Sequence, residues 1–145
     1  MEVISGSCRF GLWHVHVWWS GNRVARIRFS TTPIPGPVPP AVRRYLAGRT
    51  RTLSPLTSFA TEGDSVYPRI YRVVQAISYG TTATYGEIAA RAGTVPRVVG
   101  QAMRRNPTPL IIPCHRVVAK SGTGGFTPSV EIKEALHSLE RRNAE

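Results

Sequence analysis

Five prolines fall between Thr31 and Pro40 of this 145-residue chain, and they decide where regular structure cannot be. Proline lacks a backbone donor and fixes φ, so Thr-Thr-Pro-Ile-Pro-Gly-Pro-Val-Pro-Pro holds neither a helix interior nor a central strand and reads as a stiff connector. The apolar period differs on its two sides. Before it, Trp13, Val15, Val17 and Trp19 alternate with Leu12, His14, His16 and Trp18, a turn falls at Ser20-Gly21-Asn22, and Ala25, Ile27 and Phe29 alternate with arginines. Residues 8 to 29 therefore read as a β-hairpin. After it, Ala41 to Ala47 forms a short helix that Gly48 stops.

From Ser65 the period is helical. Val66, Ile70, Val73, Val74 and Ile77 make one stripe, with Pro68 in the first turn and Gly80 as the stop. Thr84-Tyr85-Gly86-Glu87 is a capping box starting a helix from Tyr85 to Ala92 that ends at Gly93. A second helix, capped by Thr94, runs from about Pro96 to Arg105 with Val99 and Met103 inward. Two helices joined by so short a turn make a helix-turn-helix. The second exposes Arg97, Arg104 and Arg105 and carries small residues at Gly100 and Ala102, which suits close approach to a nucleic-acid backbone; an ordinary helical hairpin with a solvated basic face is the plainer alternative.

The chemistry concentrates at Ile112-Pro113-Cys114-His115-Arg116-Val117. The strand Leu110-Ile111-Ile112 ends at Pro113, which sets Cys114 on a turn, where chemistry is usually exposed. A free thiol has a pKa of about 8.5, so a reactive one needs a base or positive charge nearby, and His115 and Arg116 stand next to it. The alternative is a small buried hydrophobe closing the strand. Strand Val117-Val118, a glycine-rich loop at residues 121–125 and a last helix from about Ser129 to Arg141 follow, packed through Val130, Ala135, Leu136 and Leu139.

Nineteen Lys+Arg against eight Asp+Glu leave a net charge of +11, which points to a polyanion, by default nucleic acid. A basic surface without a specific partner is the alternative. No apolar run is long enough to span a membrane, and the N-terminus lacks the features of a signal peptide, so a cytoplasmic location, or nuclear in a eukaryote, is expected. Cys8 and Cys114 are expected to be free thiols in a reducing compartment.

From Ser65 to Glu140 the sequence resembles the O6-alkylguanine-DNA alkyltransferases. The resemblance rests on Ser78-Tyr79-Gly80-Thr81-Thr82-Ala83-Thr84-Tyr85-Gly86-Glu87-Ile88-Ala89, on Arg97 to Pro107, and on Pro109 to Val118 with its Pro-Cys-His-Arg-Val core. It implies an α/β (α+β) protein, with a reduced β-rich N-terminal domain (1–60) before a mainly helical DNA-binding and alkyl-acceptor domain (61–145). It also implies irreversible, single-turnover transfer of an alkyl group from O6 of guanine, and from O4 of thymine, in duplex DNA to Cys114, by a cofactor-free monomer. His115 would deprotonate Cys114 through a water, Glu140 would orient His115, and Asn106 would brace the turn. Arg97 would fill the stack vacated by the flipped nucleotide, and Tyr85 would crowd its phosphate and hydrogen-bond the base. Thr84, Pro96, Val98, Gly100, Arg104 and Arg105 complete the implied DNA surface, and Val117, Phe126, Thr127 and Pro128 the substrate pocket, with main-chain groups of Cys114 and Val117 reading the guanine edge.

The chain departs from the family pattern where Phe126 replaces a tyrosine, where Thr127-Pro128 replaces a small residue and glycine, and where Glu62 to Tyr67 replaces a Gly-Thr-x-Phe-Gln approach. Zinc, which some relatives bind in the N-terminal domain, would have only Cys8, His14 and His16 here; no fourth ligand is evident, and no metal is expected. A relative that binds the lesion without reacting and recruits other repair is the alternative function, although such relatives replace the cysteine. A helix-turn-helix regulator leaves the Pro-Cys-His-Arg turn unexplained, and a cysteine hydrolase would take its histidine from a distant segment.

Overall fold

The computed structural model describes residues 2–126 and 128–144. The alternating N-terminal stretch forms three strands rather than two: β1 (Ile4–Phe10), β2 (Trp13–Ser20) and β3 (Arg23–Ser30) make an antiparallel meander, and β4 (Thr57–Ser58) adds a short parallel edge against Arg23 and Val24. β1 escaped the sequence reading because Ile-Ser-Gly-Ser-Cys-Arg-Phe has small residues where an alternating apolar signal would stand. Cys8 faces Val15 in the register, whereas His14 and His16 face Arg9 and Ser7. Side chains alternate along a strand, so the thiol and the two imidazoles project from opposite faces and do not converge on a metal.

The connector crosses the sheet and delivers α1 (Pro40–Leu46), which stops before Gly48 at φ 74°. α1 and the last helix, α5 (Val130–Asn143), cover the inner face of the sheet. Val15, Val17, Val24, Ile27 and Phe29 meet Val42, Tyr45, Ile132, Leu136 and Leu139 there, joined by Leu110 and Ile111. This core thus draws on residues from both ends of the chain. Val130 and Ala135, expected to pack α5, are only half-buried, while Ile132 and Lys133 are fully buried.

A second core joins α2 (Val66–Gln75), α3 (Tyr85–Ala92) and α4 (Pro96–Arg104) around Ile70, Val74, Ile88, Val99 and Ile112. The capping box forms as read: Glu87 N donates to Thr84 Oγ1 at 3.1 Å and Thr84 N to Glu87 Oε1 at 2.9 Å. Gly93 ends α3 in the left-handed region, and three residues later α4 begins. Its N-cap is Val95, with no side-chain cap, so Thr94 does not serve as the cap; Pro96 in the first turn presets φ and has no orphan donor. A two-stranded parallel pair, β5 (Ala83–Thr84) with β6 (Val117–Val118), ties α3 to the segment after Cys114. Among the described residues no helix is long and apolar enough to cross a membrane.

Candidate active site

Leu110-Ile111-Ile112 is a set of tight turns rather than a strand. Leu110 takes φ 78° and Ile112 N donates to Thr108 O at 3.0 Å. Apolar composition misled the reading, because these side chains are buried as plugs between the two cores and not as a ladder. Asn106 holds the turn: its Nδ2 donates to Ile112 O at 2.8 Å while its Oδ1 accepts from Thr108 N at 3.0 Å. Pro113 then leads into a 3-10 turn, Cys114–Arg116.

Cys114 is 7% exposed, not the exposed turn residue expected, and it contributes to the wall of a cavity of about 670 Å³. β3 (Arg26, Arg28, Phe29), Tyr85, one face of α4 (Arg97, Gly100, Met103, Arg104), the Asn106 turn and Phe126 with Pro128 line the rest. Burial pushes the Cys114 thiol up to about 11, against the lowering exerted by a hydrogen bond from Asn106 and by the charge of Lys133. At pH 7 such a thiol is ionised to roughly one part in ten thousand, so it could act as a nucleophile only with a base at hand.

The next residue in the chain is a candidate base. His115 is fully buried, and its Nε2 lies 2.7 Å from Glu140 Oε2. A carboxylate only accepts, so Nε2 carries the proton and Nδ1 is left as the basic nitrogen. Burial lowers the His115 pKa, with Glu140 opposing, and the ring is neutral at pH 7. Burial alone would raise the Glu140 carboxyl, but hydrogen bonds from His115 and Arg116 overcome it and hold the group well below the ordinary range.

Three buried residues around this pair were missed or misplaced by the sequence reading. Arg116 does not serve the thiol: its guanidinium grips Glu140, with Nε 3.0 Å from Oε1 and Nη2 2.9 Å from Oε2, and donates to Ile77 O at 2.9 Å. Tyr45, from α1, donates to Glu140 Oε2 and lies 3.3 Å from His115 Nε2. Lys133, from α5, donates to Val117 O at 2.7 Å and Gly125 O at 3.2 Å, and burial brings its ammonium down to about 8. A charged residue on the inner stripe of α5 was the available signal for Lys133. Nothing local marks Tyr45, 70 residues from its partner.

Two glycines are required by geometry. Gly80, at φ 78°, donates its N–H to Glu140 Oε1 at 3.0 Å, and a Cβ there would lie 2.7 Å from Ala144 Cβ. At Gly124, φ 77°, a Cβ would sit 3.0 Å from the Tyr85 hydroxyl, so only glycine lets the loop close on that ring.

The expected DNA surface is partly assembled. Pro96 and Arg97 are exposed at the start of α4, Gly100 and Arg104 line the cavity, Val98 is half-buried against the helical core, and the Thr84 hydroxyl is engaged in its cap. Arg105 turns away and donates to the Tyr67 hydroxyl at 2.9 Å. Phe126 packs on Phe29 with ring centroids 5.8 Å apart, and Val117 is buried with its carbonyl bound by Lys133. Thr127 lies outside the described residues.

A buried thiol next to a histidine–glutamate pair, in the wall of a cavity lined by the second helix of a helix-turn-helix, defines the class: a protein with a candidate reactive cysteine beside a nucleic-acid-binding motif. Residues 65–142 match the family described as 6-O-methylguanine DNA methyltransferase, DNA binding domain, and the chain belongs to that family. Similar proteins named methylated-DNA–protein-cysteine methyltransferase are one from Methanocaldococcus jannaschii, 44% identical over 88 residues (61% of this chain, 53% of that protein), and one from Sulfolobus acidocaldarius, 48% identical over 77 residues (53% and 50%). The chain thus spans about half the length of the curated relatives it matches. Among solved structures, Mycobacterium tuberculosis O6-methylguanine methyltransferase is similar over 99% of this chain and 96% of its own, at 28% identity and TM-score 0.81. The same relative in complex with DNA covers 94% and 92% at TM-score 0.78 and 27% identity.

Proposed function

We propose that this protein repairs DNA by transferring an alkyl group irreversibly from O6 of guanine to Cys114, and from O4 of thymine by the same route. The observation that carries the reading is the Cys114 thiol in the wall of an arginine-rimmed cavity, with neutral His115 held behind it by Glu140. Stacked bases hide the alkyl carbon from in-line attack, so the nucleotide must rotate out of the duplex at a cost of a few kcal/mol. Arg97, exposed in the first turn of α4 and on the cavity rim, fills the stack it leaves.

Inside the cavity the thiol proton passes through a water to His115 Nδ1, while Nε2–H stays on Glu140. Ionised Glu140 stabilises the imidazolium that forms, and Lys133 and the Asn106 amide favour the thiolate. The sulfur attacks the alkyl carbon, the carbon–O6 bond breaks, and its electron pair leaves with guanine, which takes up a proton to become the normal base. The thioether has no facile return, so each molecule acts once. A duplex with one O6-methylguanine tests this: the protein should gain a single methyl group on Cys114, and Cys114→Ser should gain none while keeping its affinity for duplex. Methyl on Cys8, or transfer surviving in Cys114→Ser, overturns the assignment, and tight lesion binding without any mass change would favour the non-reacting alternative.

A further inference from the structure

The arginines that alternate along β3 have no part in the chemistry above, yet two of them line the same cavity as Cys114. Arg26 and Arg28 are exposed, lie two residues apart on one face of the strand, and flank Ile27. Ile27 N donates to Pro107 O at 2.9 Å, which pins this part of β3 to the turn that carries Asn106 and leads to Cys114. β4 pairs only with Arg23 and Val24, so β3 beyond them is a sheet edge facing the cavity. Neither Arg26 nor Arg28 forms an ion pair or side-chain hydrogen bond with a described residue, whereas Arg23 on the same strand is paired with Glu62 at 2.8 Å. Arg97 and Arg104 of α4 line the same cavity, so arginines reach it from two independent elements.

A cavity of about 670 Å³ lies within the range that takes a drug-sized ligand, which leaves room for more than one flat base. A partner that meets both sets of arginines carries more than one anionic group, as a flipped nucleotide does through its 5′ and 3′ phosphates. A guanidinium presents a planar fork that fits phosphate bidentately, so it loses less in ordering per hydrogen bond than an ammonium does. We propose that Arg26 and Arg28 form a second phosphate-binding wall, by which the N-terminal sheet holds the backbone of the strand that delivers the nucleotide to Cys114. The proposal rests on the DNA reading above.

The test compares wild type, Arg26→Ala/Arg28→Ala, and Arg9→Ala/Arg44→Ala, which removes equal charge away from the cavity. Duplex affinity is measured against salt, and single-turnover reaction is measured with alkylated duplex and with free benzylguanine base. Each lost phosphate contact shallows the salt slope by about 0.9, so the cavity pair should shallow it by roughly 2 and weaken binding roughly 60-fold near 0.1 M salt. The free base has no phosphate, and its rate should stay within about twofold of wild type. An unchanged slope, an equal loss in the Arg9/Arg44 variant, or a parallel loss with free base would each overturn the proposal. Were wild type to bind DNA with this arginine dependence but accept no alkyl group, the second wall would stand and the alkyl-transfer reading would fall.

Discussion

Replacing Arg116 by methionine should cost about 3–5 kcal/mol of stability, the range for removing one partner of a buried ion pair. The magnitude follows from what is left behind. Glu140 is 2% exposed and ionised, and Arg116 supplies it with contacts at 3.0 and 2.9 Å that neither water nor methionine can replace. Methionine keeps the apolar stem, so the loss reports the charge and its hydrogen bonds, the one to Ile77 O included, and not a cavity. For a chain of this size the melting temperature should fall by roughly 6 to 20 °C. The pH dependence identifies the cause. In wild type the folded Glu140 carboxyl lies well below its unfolded value, so its contribution is present above the unfolded pKa, near about 4.3, and is lost only as pH falls through the depressed value. Without Arg116 the folded value rises, because burial then acts against fewer hydrogen bonds. The stability gap should therefore be widest near neutrality and narrow in acid, where the orphaned carboxylate takes up a proton. Urea unfolding of both proteins across this range measures it. A loss under about 1 kcal/mol, or a gap that does not change with pH, would refute the account.

Tyr45→Phe removes a donor from Glu140, making the carboxylate more basic and raising His115, so the acid limb of the single-turnover pH–rate profile should move to higher pH; an unmoved limb would leave Tyr45 a packing residue only. Arg97→Ala should slow reaction with duplex and spare reaction with free alkylguanine, and equal slowing of both would place Arg97 in the chemical site. Pro128 lines the cavity beside Phe126, and its ring stiffens that loop. Methyl transfer should be unaffected by Pro128→Gly and benzyl transfer should quicken; a benzyl rate unchanged or lowered shows that Pro128 does not restrict bulk.

Local rules carried the sequence reading where interactions are local. The capping box at Thr84, the left-handed stops at Gly48 and Gly93 and the inward Ile27 and Phe29 of β3 depend on neighbours within a turn or a strand, and each is legible because the chain carries its own partner, whereas a β-bulge at Trp18/Trp19 puts Val24 rather than the expected Ala25 in the core. Reading failed where the partner is remote. Leu110 to Ile112 has strand composition but fills a junction between two cores, and only the cores' positions decide between a ladder and a plug. Cys114 and His115 are adjacent in sequence, and their neighbourhood with Glu140 rested on a family resemblance. That Arg116 turns to Glu140 rather than to the thiol, that Tyr45 reaches the relay from α1, and that Lys133 is buried against Val117 are decided by the packing of α1 and α5 around one low-dielectric site. There an unpaired charge is too costly to leave, so the buried groups find one another across the fold, and spacing along the chain carries no trace of it.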